Sequence, residues 1–289
     1  MNRPIEQGFG RELNFLVFAM AVAGVRLGLA RAQDEATPEL NVQWKEGPTT
    51  ANLRRIAEIG VPAGYRCLNE RDTQRYLEAM RNPTSGDELG LVEPTENGNW
   101  FLVFTFSDVG YVKDDEKDDL DAEAMLKSMR ESNKLGNEER RKRGWPTLEL
   151  EGWAHPPHYD PKTNNLEWAL RYRSEGGPAV NYNTRILGRK GVMEVTLVVG
   201  LEELEGALPD FKKLLTGFSF TTGNRYAEFR SGDKIAQYGL AAMVTGGAAA
   251  VALKTGILQK FWKIIVIGVV AVAAGVKKFF GRLFGRQSD

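Results

Sequence analysis

In three neighbouring stretches of the chain, every second residue is apolar and many of the residues between them are polar. They are LEWALRYR at 166–173, AVNYNTRILGR at 179–189 and VMEVTLVVG at 192–200. A period of two is typical of β-strands with one buried face, and the Gly-containing turns between the stretches favour hairpins. The pattern therefore predicts an antiparallel meander.

The rest of the pattern between residues 41 and 222 predicts an α+β domain. Trp100–Phe106 is a near-continuous apolar run, which is typical of a buried central strand. Shorter strands are predicted at 41–45, 53–61, around Cys67 and at 218–222, and helices are predicted at 69–80 and at 201–217, where Pro209 either breaks the helix or opens a second one. We therefore expect an antiparallel meander sheet with packed helices.

Residues 114–123 contain seven acids and precede a helical pattern. One face of this predicted helix carries Leu120, Ala124, Met125 and Met129. We expect Asp118 or Asp119 to cap it, because acids near a helix N-terminus interact favourably with the helix dipole. The alternative is a calcium site, although the run lacks the Gly and the terminal Glu of a twelve-residue EF-hand loop.

The net charge of zero hides a division along the chain. Residues 33–233 carry 26 basic and 35 acidic groups, whereas residues 234–289 carry eight basic groups and one acid, and residues 1–32 carry four and two. An acidic body argues against nucleic acid as its partner. A basic, apolar tail fits a domain that is held at a lipid bilayer.

The N-terminus has the pattern of a secretory signal. Arg3 and Arg11 precede the apolar run LNFLVFAMAVAGV at 13–25, which is shorter than a membrane span. Ala30-Arg31-Ala32 supplies small residues at the positions that a signal peptidase reads. The sequence therefore predicts a signal peptide at 1–32, with an uncleaved N-terminal anchor as the alternative.

The C-terminal residues 234–289 are predicted to be a membrane anchor with two apolar helices, at 235–253 and 261–280. Each is about long enough to cross ~30 Å of hydrocarbon. Small residues recur at a spacing of four, namely Ala242, Gly246 and Ala250 in the first helix and Ala271 and Gly275 in the second. This spacing lets helices approach closely in lipid and predicts a transmembrane helical hairpin. An Ala/Gly-rich linker is the alternative for the first segment. The distribution of Lys and Arg favours a single crossing, so the number of full crossings stays open.

The segment GWAHPPHYDP at 152–161 contains both histidines of the chain. Pro156 and Pro157 exclude a helix and predict an extended, polyproline-like loop before the strand at 166. The spacing of His155 and His158 matches no standard metal site.

Trp153, His158, Tyr159 and Asp160 are the candidate binding residues of this segment. The favoured interpretation is structural, with Trp153 and Tyr159 docking the loop onto the core. The alternative is a working site, in which His158 and Asp160 serve a metal-dependent or hydrolytic reaction. The sequence contains no HExxH, GxSxG, CxxC, P-loop or dinucleotide fingerprint, so we expect no catalytic residue, no metal and no cofactor.

Five segments resemble a bacterial family of membrane-anchored proteins that is catalogued only as a domain of unknown function. They are GYVKDDEKDDLDAEAML, ERRKRGWP, GWAHPPHYDPKTNNLEWA, VNYNTRILGRKGVM and RYAEFRSGDKIAQYGLAAMVTGGAAA. The resemblance implies an exported body with a C-terminal anchor. It also implies that position 155 varies more within the family than position 158. This difference counts against a site in which His155 and His158 act as a pair. Residues 166–220 are similar, at the level of the fold, to the PsbP-like α/β sandwich.

These observations together predict a non-catalytic binding or scaffold domain. We expect it to occupy residues 33–233, to face the periplasm at the bacterial inner membrane, and to engage an envelope protein or a glycan. The lipid bilayer is the expected partner of the anchor, and nucleic acid is not an expected partner. The second hypothesis is a metal-dependent or hydrolase-like envelope enzyme that uses His158 and Asp160.

Overall fold

The computed structural model describes residues 41–245, apart from residues 83, 97 and 176. The strands are β1 (Lys45–Glu46), β2 (Thr49–Leu53), β3 (Ala57–Val61), β4 (Tyr65–Asn69), β5 (Glu88–Pro94), β6 (Trp100–Ser107), β7 (Glu149–Asp160), β8 (Asn165–Ser174), β9 (Gly177–Leu187), β10 (Val192–Gly200) and β11 (Phe218–Phe220). The helices are α1 (Glu70–Ala79), α2 (Ala122–Lys142), α3 (Leu204–Leu215) and α4 (Leu240–Thr245).

Most of the described strands form one antiparallel sheet in the order β1-β4-β5-β6-β10-β9-β8-β7. A second, smaller sheet has the order β11-β3-β2. The predicted meander is confirmed, because β8, β9 and β10 follow one another as antiparallel neighbours. The coarse expectation of an antiparallel sheet with packed helices is therefore correct.

The two faces of the large sheet are covered by different elements. On the first face, the small sheet and α3 enclose an apolar core that contains Phe104, Val195 and Phe211. On the second face, α1 covers the β4–β6 end, with Leu77 next to Phe101. The same face is covered near β7 and β8 by α2 and α4.

Two local predictions are wrong. The predicted single strand at 53–61 is a hairpin of β2 and β3, because Arg54 and Arg55 adopt positive φ values of 51° and 59° and turn the chain. The cap of α2 is Asp121, whose carboxylate accepts a hydrogen bond from the Ala124 amide at 3.0 Å, rather than Asp118 or Asp119.

The predicted helix at 69–80 is confirmed as α1, which Asn69 caps. The helix α3 continues through Pro209 without a break.

A segment after β11 fastens the end of the described chain to the sheet. The Tyr111 amide donates to the Lys234 carbonyl at 2.7 Å, and the Ala236 amide donates to the Tyr111 carbonyl at 2.9 Å. Arg189, in the β9–β10 turn, forms two hydrogen bonds of 2.7 Å with the carboxylate of Asp233. These contacts hold the chain in place just before α4.

Helix α4 continues this attachment and lies within the first predicted membrane segment, 235–253. Leu240 and Val244 are 0% and 2% exposed and pack with α2 on the second face. Residues 234–245 therefore pack onto the domain that was expected to end at 233. No helix of the described residues is both long enough and apolar enough to cross a bilayer.

Several predictions fall on residues that the structure does not describe. These are the signal peptide at 1–32, the segment 261–280, and the small residues Gly246, Ala250, Ala271 and Gly275.

We expect the Arg189–Asp233 ion pair to stabilise the fold in a pH-dependent manner. Hydrogen bonds from Arg189 and then from the Arg230 amide lower the pKa of Asp233 from 3.8 to about 2. A lowered pKa in the folded state stabilises the fold above the unfolded-state value, and this stabilisation is lost as the pH falls through about 2. The variant Asp233→Asn should therefore melt below the wild type at pH 6, with the difference shrinking towards pH 2. Thermal unfolding followed by circular dichroism measures this.

The matched control is Asp119→Asn, which changes an exposed acid of the charged segment. A melting-temperature difference for Asp233→Asn that stays constant from pH 6 to pH 2 would contradict the role of the pair.

Candidate functional site

The HPPH segment is part of a strand rather than a loop, so that prediction is wrong. It lies in β7, which, among the strands of residues 41–245, pairs only with β8 at the edge of the large sheet. The register with β8 shifts at three places between Leu150 and His158. Prolines are tolerated here because an edge strand needs only one side of its backbone for pairing.

The two aromatic candidates of this segment hold α2 and its preceding loop to the sheet. The Trp153 indole donates a hydrogen bond to the Ala122 carbonyl at 3.1 Å. The Tyr159 hydroxyl donates to Asp114 at 3.0 Å, and burial is the main reason why the pKa of Tyr159 rises to about 12. Both side chains belong to the second-face core, so their observed contacts are structural.

The two polar candidates lie on the opposite side of β7. His158 is exposed and lies across from Glu167 of β8. The carboxylate of Asp160 accepts hydrogen bonds from the Lys162 amide at 2.9 Å and from the Thr163 hydroxyl at 3.0 Å, which lower its pKa. Asp160 thus closes the β7–β8 turn, and the four candidates do not converge on one site.

His155 lies on the same side as His158 and packs edge-on against Tyr182, with ring centroids 5.8 Å apart. The Tyr182 hydroxyl donates to Glu167 at 2.7 Å. Within the described ranges, no group of three or more His, Cys, Asp or Glu side chains is arranged to hold a metal ion.

A polar cluster that the sequence did not predict is buried at the centre of the second face. The Arg185 guanidinium pairs with Glu194 at 3.0 Å and lies over the Trp168 ring, 4.8 Å from its centroid. The Ser107 hydroxyl donates to the other oxygen of Glu194 at 2.7 Å. Burial raises the pKa of Glu194, while Arg185 and Ser107 oppose that shift. The pair is therefore an ionic contact with little access to solvent.

The next row of the same face extends this polar cluster. The Thr196 hydroxyl donates to Asn183 at 3.2 Å, and the Asn183 amide group donates to the Asn181 carbonyl at 3.0 Å. Among the buried side chains that the structure describes, Trp168 Nε1 and Arg185 Nη1 have no hydrogen-bond partner. Unpaired buried donors are costly, so ordered water is the natural partner for them.

The described residues also form an open pocket on the first face, with a volume of about 480 Å³. Its lining residues are Gly64, Tyr65, Pro94, Thr95, Glu96, Gly98, Trp100 and Asp210. The Tyr65 and Trp100 rings are 6.0 Å apart and tilted by 51°. Burial, and then the charge of Asp210, raise the pKa of Tyr65. No sequence motif marks this pocket, because its walls come from three separate parts of the chain, around residues 64–65, 94–100 and 210.

The pocket and α4 lie at opposite ends and on opposite faces of the large sheet. The pocket lies on the first face, at the end of the sheet where Trp100 of β6 pairs with Val199 of β10. Helix α4 packs with α2 on the second face, and the segment before it is bonded to Tyr111 and to Arg189 of the β9–β10 turn, beyond the other end of these strands. Trp100 and Ser107, the two ends of β6, are seven residues apart, which is roughly 23 Å along a strand at about 3.3 Å per residue. The pocket is therefore remote from the point where the chain leaves the described domain.

The chain belongs to the family described as "Protein of unknown function (DUF2167)", whose model matches residues 45–277. The resemblance to a family catalogued as a domain of unknown function is thereby confirmed. No curated protein matches the chain.

Three solved structures are similar to part of the chain. The PsbP protein CyanoP of Synechocystis sp. PCC 6803 is 11% identical, with a TM-score of 0.37, and the match covers 62% of this chain and 92% of that one. The Ran-binding protein Mog1p of Saccharomyces cerevisiae is 9% identical, with a TM-score of 0.31 and coverages of 64% and 100%. A Mog1 variant is 10% identical, with a TM-score of 0.29 and coverages of 60% and 95%. A PsbP protein is thus among the similar structures, but at these TM-scores the likeness carries no argument about function.

We expect the β7 side chains to differ in their effect on stability. Trp153→Ala should lower the free energy of unfolding by about 2 kcal/mol, because it removes apolar contacts and one hydrogen bond. His155→Ala should cost under about 1 kcal/mol, the size of one aromatic contact. His158→Ala should change it by less than about 0.5 kcal/mol, since His158 is exposed. Urea unfolding of the three variants measures the order, and a loss for His158→Ala equal to that for Trp153→Ala would contradict it.

We expect the Arg185–Glu194 pair to be coupled. Glu194→Gln should destabilise the fold by about 3 kcal/mol, because it leaves a buried guanidinium without a counter-charge. The double variant Arg185→Met/Glu194→Leu should be less destabilised than Glu194→Gln alone, since it removes both charges. A double-mutant cycle by urea unfolding, with the single variants Arg185→Met and Glu194→Leu, tests this, and additive losses would show that the pair is not coupled.

Proposed function

We propose that this chain is a non-catalytic binding domain, tethered to the bacterial inner membrane and facing the periplasm. The observation that carries the proposal is the separation of the pocket from α4. The tail that follows α4 is apolar and basic, so its partner is the lipid bilayer. The pocket, at the far end of the sheet, remains accessible to an envelope protein or glycan.

The packing of α4 favours one membrane crossing over two. Residues 240–245 are committed to the second-face core, where Leu240 and Val244 are buried. Of the first apolar segment, 235–253, only residues 246–253 then remain for the membrane. Eight residues of helix span about 12 Å, which is far less than ~30 Å of hydrocarbon. The segment 261–280 is therefore the single crossing in this proposal.

The charges after residue 276 support the same topology. Residues 277–289 contain four Lys and Arg side chains, at positions 277, 278, 282 and 286. With an exported body, one crossing leaves these charges in the cytoplasm, as the positive-inside rule requires. Two crossings would return them to the periplasm.

Reporter fusions in bacterial cells test this topology. Alkaline phosphatase fused after Gln259 should be active, because residues up to 259 remain in the periplasm, and this truncated chain should leave the membrane fraction once its signal peptide is cleaved. A green fluorescent protein fused after Asp289 should fluoresce, because one crossing places the C-terminus in the cytoplasm. The matched controls exchange the two reporters at the same positions.

The outcomes separate the alternatives. A fluorescent fusion after Gln259, together with an active phosphatase after Asp289, would contradict a periplasmic body with one crossing. A phosphatase fused after Asp233 then separates the helical hairpin, in which it is active, from a cytoplasmic body, in which it is inactive. Inactive phosphatase at both positions would overturn the periplasmic orientation.

A further inference from the structure

The pocket between β4, β5, β6 and α3 combines aromatic walls with negative charge. Its volume of about 480 Å³ falls within the usual range for small-ligand sites, about 300–1,000 Å³. Tyr65 and Trp100 form its rings, and Asp210 and Glu96 supply its carboxylates. No Lys or Arg is among the lining residues. The pocket is thus negative at neutral pH.

Within the described residues, the two carboxylates of the pocket, Asp210 and Glu96, are not neutralised by a cation of the domain itself. None of the ion pairs between described residues joins Asp210 or Glu96 to a Lys or Arg. Asp210 lines the pocket together with Tyr65, and its negative charge contributes to the raised pKa of the Tyr65 hydroxyl, so the carboxylate lies near the ring. A carboxylate held beside an aromatic face is a favourable environment for an organic cation.

The domain uses the same combination elsewhere to hold a cation of its own. On the other face of β4, the Arg66 guanidinium lies over the Trp44 ring, 4.1 Å from its centroid. Glu93 accepts a hydrogen bond from Arg66 Nε at 2.9 Å. One aromatic ring and one carboxylate therefore suffice to fix a guanidinium in this fold.

We propose that the pocket binds the side chain of a lysine or arginine that a periplasmic partner protein presents. This rests on the proposed function, because the partner must reach the face of the domain that lies away from the tail. The rings contact the methylene groups and the cation, while Asp210 and Glu96 neutralise the charge. The pocket's distance from α4 argues against a headgroup of the anchoring bilayer as the ligand.

The test is a titration of the purified full chain in detergent micelles, followed by NMR of the tryptophan indole N–H signals. The Trp100 signal is assigned from its loss in Trp100→Phe. The probes are the N-acetyl methylamides of arginine, lysine and norleucine, together with choline. The arginine and lysine probes should shift the Trp100 signal, and norleucine, which has an uncharged side chain of similar length, should not.

Two variants show whether Asp210 recognises the positive charge of the ligand. Asp210→Asn should weaken binding of the arginine probe about tenfold, because it removes a charge-assisted contact. The matched control is Glu205→Gln, an exposed acid on the same helix that does not line the pocket, and its affinity should equal that of the wild type. Both variants should have the same melting temperature as the wild type, since both side chains are exposed.

Three results would overturn the proposal. Equal shifts with norleucine would show that the pocket does not distinguish a charged side chain from an uncharged one. Unchanged affinity in Asp210→Asn would show that Asp210 does not contact the ligand. Tighter binding of choline than of either amino-acid probe would indicate a lipid headgroup instead. Each result is independent of the fusion experiment, so failure of the ligand assignment and failure of the topology are distinguishable.

Discussion

The position of β10 between β6 and β9 is the constraint on which the rest of the structure depends. Its residues are paired on both sides, and Val195 lies between Phe104 and Thr184. Because alternate residues of a strand point to opposite faces, this register commits Val195 to the apolar core and Glu194 to the polar cluster. A slip of one residue would place the Glu194 carboxylate among the side chains of the first face. The register thus keeps two incompatible interiors apart.

Much of the sheet was predictable, because alternation at a period of two reports on local backbone geometry. The strands β8, β9 and β10 and the helix α1 follow from such patterns. The β2–β3 hairpin was missed because its turn is made by Arg54 and Arg55, which are not usual turn residues. The strand β7 was missed because two prolines indicate a loop unless the strand lies at an edge, and edge position is a property of the whole sheet.

The sites were harder to predict than the fold, for a physical reason. Polar residues at alternate positions, such as Asn183 and Arg185, indicate a solvated face when read from sequence alone. Here the second face is covered by α1, α2 and α4, so Arg185 and Glu194 are buried as an ion pair. The pocket depends on Tyr65 and Asp210, which are far apart in the chain. Only tertiary contacts bring such residues together, and local periodicity carries no information about them.

The edges of the large sheet have a consequence for the proposed tether to a membrane. Confinement to two dimensions raises the local concentration of identical domains. Unpaired strand edges at the same distance from the bilayer can then pair edge to edge and join the sheets of many copies. The edge strand β7 carries Pro156, Pro157 and three shifts of register, whereas the opposite edge, β1, is only two residues long. Among the described strands, neither edge offers a long, regular row of backbone donors and acceptors to a neighbour. Under the proposed tether, many copies could therefore share one patch of bilayer without polymerising through their sheets.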